Sequence, residues 1–403
     1  MAEDIKFQVI KKITDTNFKY KELGAISNID STSPPSVFIG SKLKYPLVNV
    51  GILSPLDKDE NAWVYDDEKY WAKNNFQIND VLKLRNSLLN SRFQSKVQDT
   101  RLNKKFLEIA QNIAIAAKPV DVEIQLKKNL NLNPGSDRTI TPHGMHAGLK
   151  EAKITGNVKV DQKVDKVMND EIKASEGIEY LYKHEFDEYY LSKILSIGAL
   201  GLKKDKRLVP TRWSITATDD TLGKHLLKSV REYKWIENFE LFWGQFLGNQ
   251  YLILFFPSAF SYELFELYMP NSSWNPSAEL KASTDYESYY GRKTYASNTA
   301  GGYYASRLPI LEYLEKRKRQ AAVLAIRIET PSYWAGLGVW VVRESVRKAM
   351  DCKHFEFDDI NAFIKTSKLL GKNKFNFDYT PIMDKSKIIK QITTQRNLNQ
   401  WFS

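Results

Sequence analysis

A single cysteine, Cys352, stands in a chain of 403 residues, and that fact removes the cross-links on which many folds depend. It has no partner for an internal disulfide, and there is no cysteine set for a structural zinc or an iron–sulfur cluster. A chain of this kind must be held by buried apolar surface. It has enough: 42% of residues are hydrophobic and 27% charged, the composition of an ordinary globular protein, which excludes wholesale disorder. The length is well beyond the roughly 150 residues of one domain, so two coupled domains are expected. The longest strongly apolar run, 251–256 before Pro257, is too short to cross a bilayer. Glu3 and Asp4 stand where an export leader would be basic. A reducing, cytoplasmic setting without membrane contact is expected.

Periodicity divides the chain into mixed elements. Short strands are predicted at 36–39 and 47–50. Ile78, Val81, Leu82, Leu88, Leu89 and Phe93 predict one amphipathic helix of three to four turns. A second helix over 106–117 stops at Pro119 and leads into a strand in which Val120, Val122, Ile124 and Leu126 alternate with polar residues. Two helices are predicted between 170 and 200. Behind a basic turn at 203–207, Thr218 and Asp219 look like the cap of another helix. Strand-like material fills 239–268 and 321–328, and helical patterns cover 303–319 and 339–350. The fold class is mixed α/β (α+β). It divides into an arm at 1–35, an N-terminal region at 36–200, a basic and aromatic C-terminal region at 201–370, and a flexible basic tail at 371–403. Residues 361–403 carry eight Lys/Arg against two Asp, over half of the formal surplus of +11 in the chain.

Three clusters in the second half carry chemistry. Residues 207–223 put Arg207, Pro210, Arg212, Trp213, Asp219 and Asp220 around a strand-to-helix turn. Such a turn can bind phosphate through an arginine and helix N-terminal amides. It can equally be a capped helix with Trp213 in the core, or, through the two aspartates, part of a metal site. The second cluster, Asp285 and Glu287 followed by Tyr289, Arg292, Lys293, Tyr303, Tyr304 and Arg307, interleaves cations with rings as a single-stranded nucleic-acid surface does. A plain turn before a helix fits the same residues, and the glycines lack the spacing of an ATP-binding loop. The third cluster, Arg317, Arg319, Arg327, Arg343, Glu344 and Arg347, is explained by a buried Arg–Glu network. The first two clusters are expected to form one positive groove with Arg212 and Arg292 exposed to it.

A catalytic alternative needs at least two of Asp219, Asp220, Glu263, Glu266, Asp285 and Glu287 in one cleft, sharing magnesium or manganese ions for phosphodiester hydrolysis. His143 and His146, three residues apart, lack a third ligand and suit loop hydrogen bonding. No other metal site or cofactor is expected, and no nucleophile-elbow pattern supports acyl transfer.

The chain end holds Gln395, Leu398, Trp401 and Phe402. On one helical turn Leu398, Trp401 and Phe402 share a face, an apolar plug that makes sense only against a partner groove. This Gln-x-x-Leu-x-x-aromatic-aromatic ending resembles the peptide by which replication and repair proteins hold the sliding clamp PCNA. The remainder resembles the archaeal Nre family of DNA-repair proteins. The likeness rests on Val37-Phe-Ile-Gly40, Tyr45-Pro-Leu-Val-Asn-Val-Gly51, Leu84-Arg-Asn-Ser-Leu88, Leu195-Ser-Ile-Gly-Ala-Leu-Gly201, Val209-Pro-Thr-Arg-Trp-Ser-Ile-Thr216, Gly291-Arg-Lys293, Gly301-Gly-Tyr-Tyr-Ala305 and Gly338-Val-Trp-Val-Val-Arg-Glu344. It implies a role in the response to DNA damage, with DNA and PCNA as partners and no defined reaction. Many members look to have a cysteine-rich, zinc-binding N-terminal element, from which this chain departs; no structural zinc is expected. The leading expectation is a DNA-binding repair protein tethered to the clamp. A metal-dependent nuclease and a non-catalytic adaptor between the clamp and another repair factor are the alternatives.

Overall fold

The computed structural model describes residues 27–102, 104–127 and 140–394. Among these residues, twelve strands form two six-stranded sheets, one in each of two units that part between Leu222 and Gly223; Gly336–Gly338 belongs with the first unit. The mixed α/β class holds.

The first unit contains β1 (Asn28–Ser33), β2 (Val37–Ile39), β3 (Leu47–Ser54), α1 (Glu68–Lys73), α2 (Ile78–Asn86), β4 (Leu89–Lys96), α3 (Lys105–Ile115), β5 (Val120–Leu126) and β6 (His146–Ile154). These are followed by α4 (Gln162–Asn169), α5 (Ala174–Lys183), α6 (Glu188–Ser196) and the first part of α7 (Thr211–Val230). The strand order is β1-β5-β6-β4-β3-β2, antiparallel except for the β4–β6 pair. Val120, Val122, Ile124 and Leu126 are buried on one side of β5, as their alternation predicts. Gly144 is forced by close approach: a Cβ there would lie 2.2 Å from the Asn86 carbonyl oxygen.

Two sequence expectations change here. The single helix over 78–93 is instead α2 followed by β4. Leu89 and Phe93 are four residues apart, a spacing that keeps two side chains on one face of a strand as well as of a helix, so it cannot discriminate. The helix behind the basic turn starts at Thr211, not at Thr218 or Asp219, which are buried inside α7. Pro210 ends the preceding loop, and its carbonyl accepts from the amides of Trp213 and Ser214. The cap signal misled because α7 is rich in hydroxyls that bond back to their own helix, Ser214 Oγ to Thr211 O and Thr216 Oγ1 to Arg212 O.

The second unit contains the rest of α7, then β7 (Phe239–Phe246), β8 (Asn249–Phe256), β9 (Ser261–Tyr268), β10 (Lys281–Glu287), α8 (Ala300–Arg317), β11 (Ala322–Glu329), α9 (Trp340–Asp351) and β12 (Phe355–Phe357). It ends with α10 (Ile360–Phe375), α11 (Thr380–Met383) and α12 (Lys387–Thr394). The strand order is β10-β9-β11-β8-β7-β12, with β9–β11 the parallel pair. Helices α8 and α9 cover one face; Gly244 permits this, since a Cβ there would meet Ala349 Cα at 2.6 Å. The other face presents Leu252, Leu254, Phe265, Leu324 and Ile326 to Phe363, Tyr379, Ile382, Met383 and Ile388 of the last helices and the α10–α11 link. The segment from 371 that the sequence suggests as a loose tail is therefore packed as far as Thr394. Its apolar residues are few, but Tyr379, Ile382, Met383 and Ile388 are buried and Phe375, Phe377, Ile389 and Ile392 pack against them partly buried.

Candidate nucleic-acid interface

The first basic cluster surrounds a cleft in the N-terminal unit. Backbone bonds from Val97 N to Pro46 O (2.9 Å) and from Leu208 N to Val97 O (2.8 Å) join three distant segments. Ile39 N donates to Thr211 Oγ1 at 2.9 Å, which ties the start of α7 to β2. Between these segments lies a cleft of about 260 Å³ lined by Ser41, Leu43, Tyr45, Leu47, Val48, Val97, 207–210 and Trp213. Trp213 is 56% exposed and Tyr45 66%, so two large rings face solvent at this cleft. Arg207 and Arg212 are exposed, as are Lys42, Lys44, Lys203 and Lys204 in the adjoining segments. Gly198, with φ +72°, gives this surface its turn; a Cβ there would sit 2.7 Å from Arg207 O. The sequence reading found Arg207, Arg212 and Trp213. It missed Tyr45, Leu47, Lys42 and Lys44, which no local pattern connects to them.

The second cluster belongs to the C-terminal unit, and most of it is internal. Tyr303 is fully buried, Tyr304 and Arg307 nearly so. Arg307 Nη1 donates to both oxygens of Glu287, at 3.1 and 2.9 Å. Arg292 pairs with Asp285 at 3.1 Å and donates to the carbonyls of Tyr286, Thr294 and Tyr295. Lys293 is exposed, and so are Tyr289, Tyr290 and Tyr295. The rings and arginines at 292–307 therefore serve mainly as a layer between α8 and the sheet.

The four candidate carboxylates of the C-terminal unit are each held by different partners. Register and alternation put Glu266, Asp285 and Glu287 on the α8 face of the sheet and Glu263 on the opposite face. Glu263 caps α12, accepting from Ser386 Oγ (2.6 Å), Lys387 N (3.0 Å) and Ile388 N (3.2 Å). Asp285 accepts from the Asn298 and Thr299 amides and the Thr299 hydroxyl at the start of α8. Glu266 binds Arg327 Nη1 at 2.6 Å and accepts from Tyr268 Oη at 2.9 Å. Asp219 is buried and Asp220 half-buried in α7, in the N-terminal unit. The expected Arg–Glu network is present: Arg327 also reaches Glu329 at 3.2 Å, and Arg347 reaches Glu312 and Glu344 at 3.0 and 2.6 Å.

A different group, Glu240, His354 and Glu356, brings ligand atoms within 4.8 Å of one another and could coordinate a divalent ion. Glu240 is also held by Arg317 Nη2 at 2.9 Å, which lowers its appeal to a cation. None of the carboxylates proposed from sequence belongs to this group.

His143 is buried, with Nδ1 3.1 Å from Gly144 O and Nε2 3.4 Å from the Asn90 amide nitrogen. Burial first, and then Arg92, Arg85 and His146, push its pKa down to about 3, against the pull of the Gly144 bond. The unfolded side chain titrates near 6.5. The native imidazole stays neutral, so its contribution to stability is complete above pH 6.5 and is lost as pH falls toward 3. The slope is at most about 1.4 kcal/mol per pH unit. Urea midpoints measured across that window are expected to fall less steeply for His143→Asn than for the parent chain; parallel curves would contradict this.

Gln395, Leu398, Trp401 and Phe402 lie outside the described residues. Among the described residues, no helix is long and apolar enough to cross a membrane.

Comparison with known proteins places the whole chain. The model of the N-terminal region of archaeal Nre matches residues 2–275, and that of the C-terminal region matches 287–401. The DNA repair protein NreA of Haloferax volcanii is 38% identical over 87% of this chain and 85% of its own length. NreA of Archaeoglobus fulgidus is 39% identical over 88% of each. The DNA repair protein NreB of the same organism is 33% identical over 90% of each. No solved structure matches. Aligned across both regions and nearly end to end with these relatives, the chain belongs to the archaeal Nre family.

Proposed function

We propose that the protein acts in DNA repair by holding a DNA strand at the Tyr45–Trp213 cleft while its C-terminal peptide tethers it to the sliding clamp PCNA. The observation that carries the DNA reading is a solvent-facing Trp213 beside an apolar cleft of about 260 Å³, rimmed by exposed lysines and arginines. Rings of this kind stack on any base while the cations follow the backbone. The names of the relatives, DNA repair proteins, supply the context. A nuclease built on the carboxylates at 263, 266, 285 or 287 would need one of them to leave its present partner. A pure adaptor would leave the exposed rings without a purpose.

Fluorescence anisotropy with a labelled single-stranded oligonucleotide tests the proposal. Trp213→Ala is expected to weaken binding by about 1–3 kcal/mol for each base it stacks. Arg207→Ala should weaken binding of all sequences alike and reduce the salt slope by roughly 0.7–0.9. Affinity unchanged in both variants would end the cleft reading. For the tether, titration of purified clamp with the intact chain and with a chain ending at Thr394, which keeps α12 whole, should give binding only for the former.

A further inference from the structure

A second feature of the N-terminal unit lies where β4 runs between β3 and β6. The pairing sets Asn90 beside His146, Arg92 beside Gly148, Gly51 opposite Arg92 in β3, and Phe38 opposite Gly51 in β2. Glycine on both sides leaves space beside Arg92 that the side chains of Asn90, over Gly51, and Lys127, over Gly148, occupy. Its guanidinium lies 5.7 Å from the centre of the Phe38 ring, and His143 packs against the same ring at 4.7 Å. The end of the Asn90 amide lies 3.3 Å from Nε and Nη2 of Arg92.

The electrostatics of this group are one-sided. The buried Arg85, Arg307 and Arg327 hold the carboxylates of Asp66, Glu287 and Glu266 respectively. Arg92 is half-buried, yet no acid acts on it among the described residues, and burial alone pulls its pKa down. Burial first, and then Arg92 and Lys42, disfavour a charge on His146, whose Nδ1 is buried without a hydrogen-bond partner among the described residues. Removing a cation from water without a counter-charge is unfavourable. Here several basic groups converge with that cost uncompensated, an arrangement that an anion would complete.

We propose that Arg92, Lys42, His146 and Asn90 form a binding site for a phosphate group. The guanidinium can donate to two oxygens at once, the lysine supplies a mobile charge, and the imidazole and amide supply further directed contacts. The phosphate could belong to a small phosphate compound or to the end of a nucleic-acid strand; the second source rests on the DNA reading above, the first does not.

The test uses the full chain at constant ionic strength, with inorganic phosphate replacing chloride. Phosphate is expected to raise the thermal midpoint saturably. Its affinity, measured by calorimetric titration, should fall about tenfold or more in Arg92→Met, as for loss of a charged hydrogen bond. Lys42→Ala, on an exposed segment, should fold normally and weaken binding to a smaller degree, so it decides the matter if Arg92→Met does not fold. No saturable response in the parent chain, or the same response in parent and variants, overturns the site. Oligonucleotides with a terminal phosphate or a terminal hydroxyl separate the sources. A preference for the phosphate that disappears in Arg92→Met assigns the site to a strand end. Equal affinity for both, with the response to inorganic phosphate intact, assigns it to a small phosphate compound. If DNA binding fails altogether while the phosphate response persists, the cleft reading falls and this site stands.

Discussion

Replacing Arg327 by methionine is expected to cost about 3–5 kcal/mol of stability, because it strands two buried acids with one substitution. The guanidinium in β11 donates to Glu266 at 2.6 Å, to Glu329 at 3.2 Å and to Asn249 Oδ1 at 2.8 and 2.6 Å. All three partners are buried, and Gly302 of α8 closes over Glu266, with its Cβ position only 2.2 Å from Oε1. Burial raises the Glu329 pKa to about 7, with Arg327 opposing the rise. Above an unfolded value near 4.5, a group raised in this way binds more protons when native, so its favourable contribution is present at low pH and is lost as pH rises through about 7. Without Arg327 that loss should deepen. The destabilisation of Arg327→Met is therefore expected to be larger at pH 8 than at pH 5, as read from urea unfolding. Adding Glu266→Gln and Glu329→Gln should recover part of it; no recovery would mean that the arginine acts mainly through its packing.

Tyr379→Ala should be comparably costly, at about 3–5 kcal/mol, as for other large aromatic deletions from a core. Tyr379 is fully buried, its ring edge-on to Phe377 at 5.1 Å. A Cβ at Gly371 would lie 2.1 Å from Tyr379 Cδ2, so the last turn of α10 and this ring fit only because that position is glycine. The hydroxyl tells the opposite story. It is buried with no hydrogen-bond partner among the described residues, and burial raises its pKa strongly. Tyr379→Phe is expected to be neutral or to stabilise by about 1 kcal/mol, since it removes a polar group that is desolvated without a bond. If Tyr379→Ala left the denaturation midpoint unchanged, the helices from 371 onward would be accessory, as their sparse apolar content suggests in the sequence.

The legible parts of this fold are those whose signal is local. The alternation over 120–126 predicts β5, and the run at 321–328, apolar but for Arg327, predicts a central strand, which β11 with its eight buried residues bears out. The parts that were not legible depend on what arrives from elsewhere. Tyrosines interleaved with arginines at 289–307 look the same whether a ligand or a carboxylate meets them, and it is Glu287, twenty residues before Arg307, that meets the guanidinium. Glu263 reads as a free acid in an apolar strand, yet its partners lie 123 to 125 residues further on. The cleft shows the same limit. Its Trp213 wall could be identified from a basic turn beside an aromatic, but Tyr45 and Leu47 come to it through contacts such as Ile39 with Thr211, 172 residues apart.

If the proposed clamp tether holds, the cap that Glu263 places on α12 also limits how far the body could stray from the clamp. Were the chain loose from 371, a peptide beginning at Gln395 would swing on a leash of more than twenty residues and leave the body free to search a wide volume. With α12 anchored through Thr394, only four residue steps separate the last docked position from Leu398, a reach of at most about 14 Å for a fully extended chain. The body would then ride close against the ring, with few orientations open to it. Shortening or lengthening the link between Thr394 and the peptide would alter the effective concentration of one beside the other without changing a single contact.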